Sequence, residues 1–271
     1  MPITRPPHGL PELVARLRAA GCVYAEEEAT LLLETAADPE QLAAMTERRV
    51  AGLPLEQVLG WAAFCGLRIL VDPGVFVPRR RTELLVERAV VLAPADPVVV
   101  DLCCGTGAVG AALCAALDGV ELYAVDVDPA AAACARRNLP AERVLQGDLF
   151  EPLPETLRGA VDLLVVNAPY VPSGELHLMP PEARDHEPRT ALDGGSDGLA
   201  VHRRVAAEAC VWLAPGGRLL TETSERQAGA AAAVFTAAGL RAEVTVSEQL
   251  EVAVVTGTAP DQWTSPSCSP R

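Results

Sequence analysis

Lysine is missing from this chain. All 22 basic residues are arginines, and they face 36 acidic residues for a formal net charge of −14. Duplex nucleic acid is a dense polyanion usually met by a basic face. The balance here argues against direct nucleic-acid binding and for a protein or small-molecule substrate. Also missing is any C-x-x-C pair. The eight cysteines, at 22, 65, 103, 104, 114, 134, 210 and 268, are scattered without the ligand spacing of a zinc site, so no metal is expected. The opening MPITRPPHGL has no apolar signal core. No unbroken apolar run approaches the roughly 20 residues of a membrane span. Reduced thiols in a cytoplasmic protein without membrane contact are the expectation. No internal repeat is present.

What is there is apolar and orderly. Hydrophobic residues make up 50% of 271 and charged residues 21%, enough for one large domain and a small one. Leu13, Leu17, Ala29, Leu32 and Leu33 carry helical spacing, interrupted at Gly21, and a third helix is expected over 39–51, between Pro39 and Gly52. Residues 66–78, GLRILVDPGVFVP, place two β-rich runs around Asp72-Pro73-Gly74, which reads as a hairpin turning there. From about 82 onward, fully apolar strands alternate with helices. PVVVDL, ELYAVDVD, RVLQGD, VDLLVVN and GGRLLTET are strands, helices are expected over 129–138 and 198–213, and two strands close the pattern. That rhythm predicts an α/β fold whose mostly parallel sheet is covered on both faces, with ligands beyond the C-terminal strand ends. The expected organisation is a helical module over 1–60, a hairpin linker over 61–81, a ligand-binding domain over 82–257 and a loose tail over 258–271.

Chemistry concentrates at strand ends. DLCCGTGAVG (101–110) follows a strand and opens a helix, and Gly105, Gly107 and Gly110 match the dinucleotide fingerprint. Three successive strand ends offer carboxylates: Asp101, Asp126 and Asp148. Asp126 suits a pair of ribose hydroxyls. Asp101 would repel a pyrophosphate but not a ligand with an ammonium and a sulfonium, and S-adenosyl-L-methionine is such a ligand. The strand VDLLVV then runs into Asn167-Ala168-Pro169-Tyr170, more than a turn requires.

In this order the segments resemble a class I S-adenosylmethionine-dependent methyltransferase, with a Rossmann-like seven-stranded sheet. NAPY is similar to the N-P-P-Y motif of enzymes that methylate planar amino nitrogens. PLEQVLGWAAFCGLRILVDPGVFVPRRRTELLVERA (54–89), DLCCGTGAVG, AVDVD, GDLF, NAPY and EPRTALDGGSDGL (187–199) resemble the HemK/PrmC family, protein-(glutamine-N5) methyltransferases acting on translation release factors, with a sister family acting on a ribosomal protein. The resemblance spans about residues 10–257. It implies that Asp101 and the segment Cys103, Cys104, Gly105, Thr106 and Gly107 wrap the methionine portion of the cofactor, that Asp126 holds the ribose, and that Asp148 and Leu149 flank the adenine. It implies that Asn167 and the Ala168 carbonyl accept the two hydrogens of a substrate amide, that Pro169 fixes that carbonyl, and that Tyr170 packs on the amide plane. This chain departs from the family pattern at Cys103, where Gly is usual, at Pro78-Arg79-Arg80-Arg81-Thr82-Glu83 for P-R-P-E-T-E, at Ala168 for Pro, and at QLEVAVV, where many members carry a Gly and an Arg. Its helical module is also shorter.

The residues themselves leave competing readings open: a nucleic-acid amino methyltransferase clamping a flipped base, a nicotinamide oxidoreductase, and a binder that has lost catalysis. Arg79, Arg80 and Arg81 read either as a solvated cluster or as a grip on an acidic part of a substrate. His177 and His186 read as loop residues rather than catalysts, and Cys103 and Cys104 as small packing groups.

Overall fold

The structure, a computed structural model, describes residues 9–261. Four helices come first: α1 (Leu10–Ala19), α2 (Ala25–Thr35), α3 (Pro39–Val50) and α4 (Leu55–Leu59). Asp38 caps α3 by accepting the Gln41 N–H at 2.8 Å, and Pro39 takes the first helical position, where its missing N–H costs nothing. The four helices share a core of Leu13, Leu17, Leu32, Met45 and Val58. The short α4 was not anticipated.

A hairpin follows, β1 (Trp61–Phe64) paired antiparallel with β2 (Leu67–Leu70), and its turn is not where the sequence placed it. The chain reverses at Cys65 and Gly66, with φ of 47° and 74°, the left-handed pair that a two-residue hairpin demands. Asp72-Pro73-Gly74 makes a second turn, Val75 donating to the Asp72 carbonyl at 3.2 Å, and the chain beyond it pairs with side chains instead of a strand. Gln57 donates to the Val75 carbonyl at 3.0 Å and accepts from Gly74 N–H at 3.3 Å. Val77 N–H donates to Glu187 at 3.1 Å.

The remaining elements are α5 (Glu83–Leu92), β3 (Val98–Leu102), α6 (Ala108–Ala116), β4 (Glu121–Asp126), α7 (Pro129–Ala135), β5 (Val144–Gln146), β6 (Val161–Val166), α8 (Pro181–His186), α9 (Ala200–Trp212), β7 (Leu213–Thr223), α10 (Glu225–Ala237), β8 (Arg241–Ser247) and β9 (Val252–Thr258). The sheet order is β5-β4-β3-β6-β7-β9-β8; the first five strands run parallel and β9 is antiparallel to both its neighbours. Alternate residues serve opposite faces. Val99, Leu163 and Val165 pack with Leu85 and Leu113, whereas Val100, Leu102 and Leu164 pack with Trp212 and Phe235. Burial on both sides is why these strands read as unbroken apolar runs. Helix α7 stops three residues short of its expected end, which frees Asn138. That side chain accepts from Leu70 N–H and donates to the carbonyls of Leu70 and Thr106, each at 2.9 Å, tying the hairpin to the glycine-rich turn. The tail residues beyond 261 lie outside the described part. Ala259 is buried and donates to the Gly217 carbonyl at 2.8 Å, so the ordered fold extends slightly past the expected boundary.

Arg49 joins the helices to the rest. Its guanidinium is buried against Glu28 of α2, donates to the Leu53 carbonyl at 3.0 Å, and reaches Glu182 of α8 at 2.7 Å. Removing one partner of a buried pair strands the other charge, which costs about 3–5 kcal/mol. Glu28→Ala should lose stability on that scale in chemical denaturation, and Glu28→Met with Arg49→Met should recover most of it.

Candidate active site

The strand order reverses between β3 and β6, which lie side by side at the centre of the sheet. One chain turns away from that boundary toward β4 and the other toward β7, so the space beyond their carboxyl ends is left open. Register pairs Asp101 with Val165 and Leu102 with Val166. The next residues on the two strands, Cys103 and Asn167, therefore open the glycine-rich turn and the NAPY segment beside one another. A cleft of about 580 Å³ lies there. It is lined by Asp101, Cys103, Cys104, Gly105, Thr106, Asp126, Asp148, Leu149 and all of Asn167, Ala168, Pro169 and Tyr170. Every site residue expected from the sequence lines this cleft except Gly107.

The glycines divide their labour. Gly105 faces open space, and its N–H donates to Asp126 at 2.8 Å. A side chain on Gly107 would instead strike Leu139 at 2.7 Å, and one on Gly110 would meet Leu122 and Asp101. Only the first glycine admits a ligand; the other two admit protein. Cys103 and Leu149, on either side of the cleft, hold left-handed φ of 57° and 51°, and the former accounts for why glycine suits that position.

The three carboxylates are not equivalent. Asp101 is fully buried and accepts the Gly110 N–H at 2.9 Å; burial pushes its carboxyl up to about 7, against the pull of that hydrogen bond. Asp126 is also raised by burial, opposed by the N–H groups of Asp128 and Gly105 that it accepts. Asp148 is paired with Arg204 of α9 at 2.8 Å. Burial raises both Cys103 and Cys104 thiols, so neither is a thiolate nucleophile at neutral pH.

At the other end, Asn167 Nδ2 donates to Thr82 Oγ1 at 3.4 Å, which leaves Oδ1 free to accept. Tyr170 donates its hydroxyl to Glu222 at 2.9 Å. The loop after NAPY grips it from behind. Val171 bridges Asp193, and Gln227 donates to the Tyr170 carbonyl at 2.9 Å. A side chain on Gly198 would lie 2.2 Å from that carbonyl. This is the use of EPRTALDGGSDGL.

The arginine cluster divides between protein partners and solvent. Arg79 is paired with the buried Glu187, Arg81 lies 3.4 Å from Glu222, and Arg80 is exposed. Two of the three pair with buried glutamates while they line the cleft. His177 is exposed and His186 half-buried, and neither lines the cleft. Thr82, Glu187, Arg204 and Glu222 escaped sequence reasoning. The one available signal was Glu222 as the single acid of β7.

Seven strands in this order, with a carboxylate-lined cleft at the switch point, define a class I methyltransferase. Residues 66–179 match the family described as Methyltransferase small domain. The chain is 40% identical over 248 residues to the release factor glutamine methyltransferase of Mycolicibacterium smegmatis, covering 89% of this chain and 87% of that one. It belongs to the release factor glutamine methyltransferase family. It is also 38% identical over 201 residues to a 4-amino-L-phenylalanine/4-methylamino-L-phenylalanine methyltransferase of Streptomyces pristinaespiralis, covering 71% and 68%. In fold it resembles a T. thermophilus 16S rRNA N2 G1207 methyltransferase solved with AdoMet and guanosine (TM-score 0.52, 23% identity, 73% of this chain and 49% of that one).

Gly198→Ala should therefore cost more than about 2 kcal/mol, from a left-handed side chain and a backbone clash together. Gly159→Ala, also left-handed but facing open space, should cost only about 1–2 kcal/mol. Denaturant midpoints of the two variants check the difference.

Proposed function

We propose that this chain transfers a methyl group from S-adenosyl-L-methionine to the side-chain amide nitrogen of a glutamine in a translation factor, a release factor first among the candidates. The observation that carries this reading is Asn167 lining the cleft beside the three carboxylates, with its Nδ2 engaged by Thr82 so that Oδ1 remains to accept. The relatives support it. The Mycolicibacterium protein is named for release factor glutamine, and the two substrates named for the Streptomyces protein differ by one methyl on a ring amino nitrogen. Amide and arylamine nitrogens are both planar, with a delocalised lone pair.

The cleft fits the cofactor. Its carboxylates have no unpaired cation among them on that side, Arg204 being engaged by Asp148, so it suits a cationic ligand without phosphate. Asp126 would hold the ribose, Asp148 and Leu149 would flank the adenine, and Asp101 with Cys103, Cys104, Gly105, Thr106 and the backbone up to Gly107 would surround the amino-acid end. Bound there, the sulfonium supplies an electrophilic methyl group.

The protein's task is to make an amide nitrogen reactive. Its lone pair is shared with the carbonyl, as the ~18–20 kcal/mol rotation barrier shows. As the nitrogen takes on positive charge its hydrogens become more acidic, and two fixed acceptors then bind the transition state better than the ground state. Asn167 Oδ1 is one acceptor and the Ala168 carbonyl the other. Pro169 narrows the conformations open to Ala168, and Ala168 is itself buried. Replacing a proline there by alanine loosens one φ angle, worth up to ~1 kcal/mol. The surplus proton on the product nitrogen leaves to water, so no side-chain base is needed. Tyr170 presents its ring face to the amide plane. The N-terminal helices α1 to α4 serve as the recognition module for a protein substrate, and a translation-factor target fits a cytoplasmic enzyme. The −14 charge disfavours nucleic acid as the substrate.

With radiolabelled cofactor and release factor, Asn167→Ala should lose about 10²–10³ in rate while cofactor binding persists; full activity in that variant would sink the assignment. In lysate from cells lacking the protein, the label should enter protease-sensitive material. Nuclease-sensitive label would overturn the choice of amide.

Asp101 gives a second check. Its folded-state carboxyl sits near 7 instead of 3.8, so its contribution to the stability of the free protein is present at low pH and is lost as pH rises toward 7. A cation beside it favours the ionised form. Cofactor binding near pH 6.5 should therefore release a proton, and affinity should rise from about pH 6 to 8. Calorimetry in buffers of different ionisation enthalpy measures that proton, and Asp101→Asn should abolish its release.

A further inference from the structure

Glu222 does nothing that the fold requires. It is 1% exposed near the end of β7, and its Oε2 is buried without a hydrogen-bond partner. A carboxylate in that state lowers stability, and an apolar residue of similar volume would serve the core better. Its Oε1 has two neighbours. The Tyr170 hydroxyl donates to it at 2.9 Å, and Arg81 Nε lies 3.4 Å away. Arg81 comes from the segment just before Thr82, and its guanidinium also stands 5.9 Å from the centre of the Tyr170 ring. The Glu222 carbonyl faces His202 Nε2 at 3.4 Å, and His202 is held neutral by burial, down to about 4. Among the described residues, Arg81 is the ion-pair partner of the carboxylate.

We propose that Glu222 is a positioning residue for methyl transfer, acting through Tyr170: it holds the phenol oxygen and so fixes where the ring stands, and Arg81 lies beside the carboxylate as its ion-pair partner. The proposal rests on the reading of the cleft as a planar-amide methyl-transfer site. Backbone contacts already anchor the Tyr170 carbonyl through Gln227, but they leave the ring free to rotate about its own bonds. The hydroxyl contact fixes where the far end of the ring stands. It also explains how a tyrosine serves here without acting as an acid or base, because its proton is committed to Glu222, whose charge adds to burial in raising the phenol well above its ordinary range.

The experiment compares Tyr170→Phe, Glu222→Gln, Glu222→Leu and the Tyr170→Phe/Glu222→Leu pair, each confirmed as folded by circular dichroism. Loss of a charge-assisted hydrogen bond should lower kcat about 10–100-fold in Tyr170→Phe and in Glu222→Leu, with KM and cofactor affinity little changed. The double variant should be no worse than either single one. Glu222→Gln keeps an acceptor and should retain most of kcat. A Glu222→Leu enzyme with wild-type kcat, or losses that add in the pair, would overturn the proposal. A second readout does not need turnover. In a Tyr24→Phe/Tyr123→Phe background carrying 3-fluorotyrosine, the fluorine signal of residue 170, beside the hydroxyl, should shift in Glu222→Leu, where the phenol has lost its acceptor. Identical spectra would also overturn it. If wild-type protein labels no release factor, the function reading fails, and the fluorine spectra still decide what Glu222 does.

Discussion

The reversal of strand order between β3 and β6 is the constraint on which the rest depends. Parallel strands packed on both faces spend their backbone groups on neighbours and their side chains on the core. Only where two adjacent strands part company does the end of the sheet stay uncovered. The glycine-rich turn and NAPY leave from that one place because their strands are in register across it. The carboxylates of β4 and of the turn after β5 are brought in from the side by the same sheet. Chemistry in this protein is a boundary effect of topology.

Much of this was legible in the sequence because it rests on local rules. Unbroken apolar runs announce strands covered twice, and a carboxylate ending such a run is conspicuous. The hairpin was legible as a hairpin but not in its register. Asp72-Pro73-Gly74 is a strong turn signal and does form a turn, yet the reversal falls at Cys65-Gly66, where a cysteine gives no hint that it will accept a left-handed conformation. The glycine fingerprint misled in a similar way. Spacing cannot say whether the missing side chain makes room for a ligand or for Leu139. The partners of the arginines were beyond reach, since Arg79 and Glu187 stand 108 residues apart.

The composition also acquires a meaning. A chain with 36 acids and no lysine uses arginine wherever a carboxylate must be met inside. Arg49, Arg79 and Arg81 each answer a glutamate that is almost wholly withdrawn from water. A planar fork can satisfy two oxygens at once and is more weakly hydrated than an ammonium, so it suits these sites.

The joint between the helices and the cleft wall is built from unlike materials. Gln57 holds the segment after the hairpin through neutral hydrogen bonds, and Glu28 meets Arg49 away from solvent. Glu182, by contrast, keeps 46% of its side chain in water. Screening shortens the reach of exposed charges to about 8 Å at physiological ionic strength and about 3 Å at 1 M. Salt therefore acts on one strut and spares the others. The wall carried by α8 loosens as ionic strength rises, while the helical module keeps its shape.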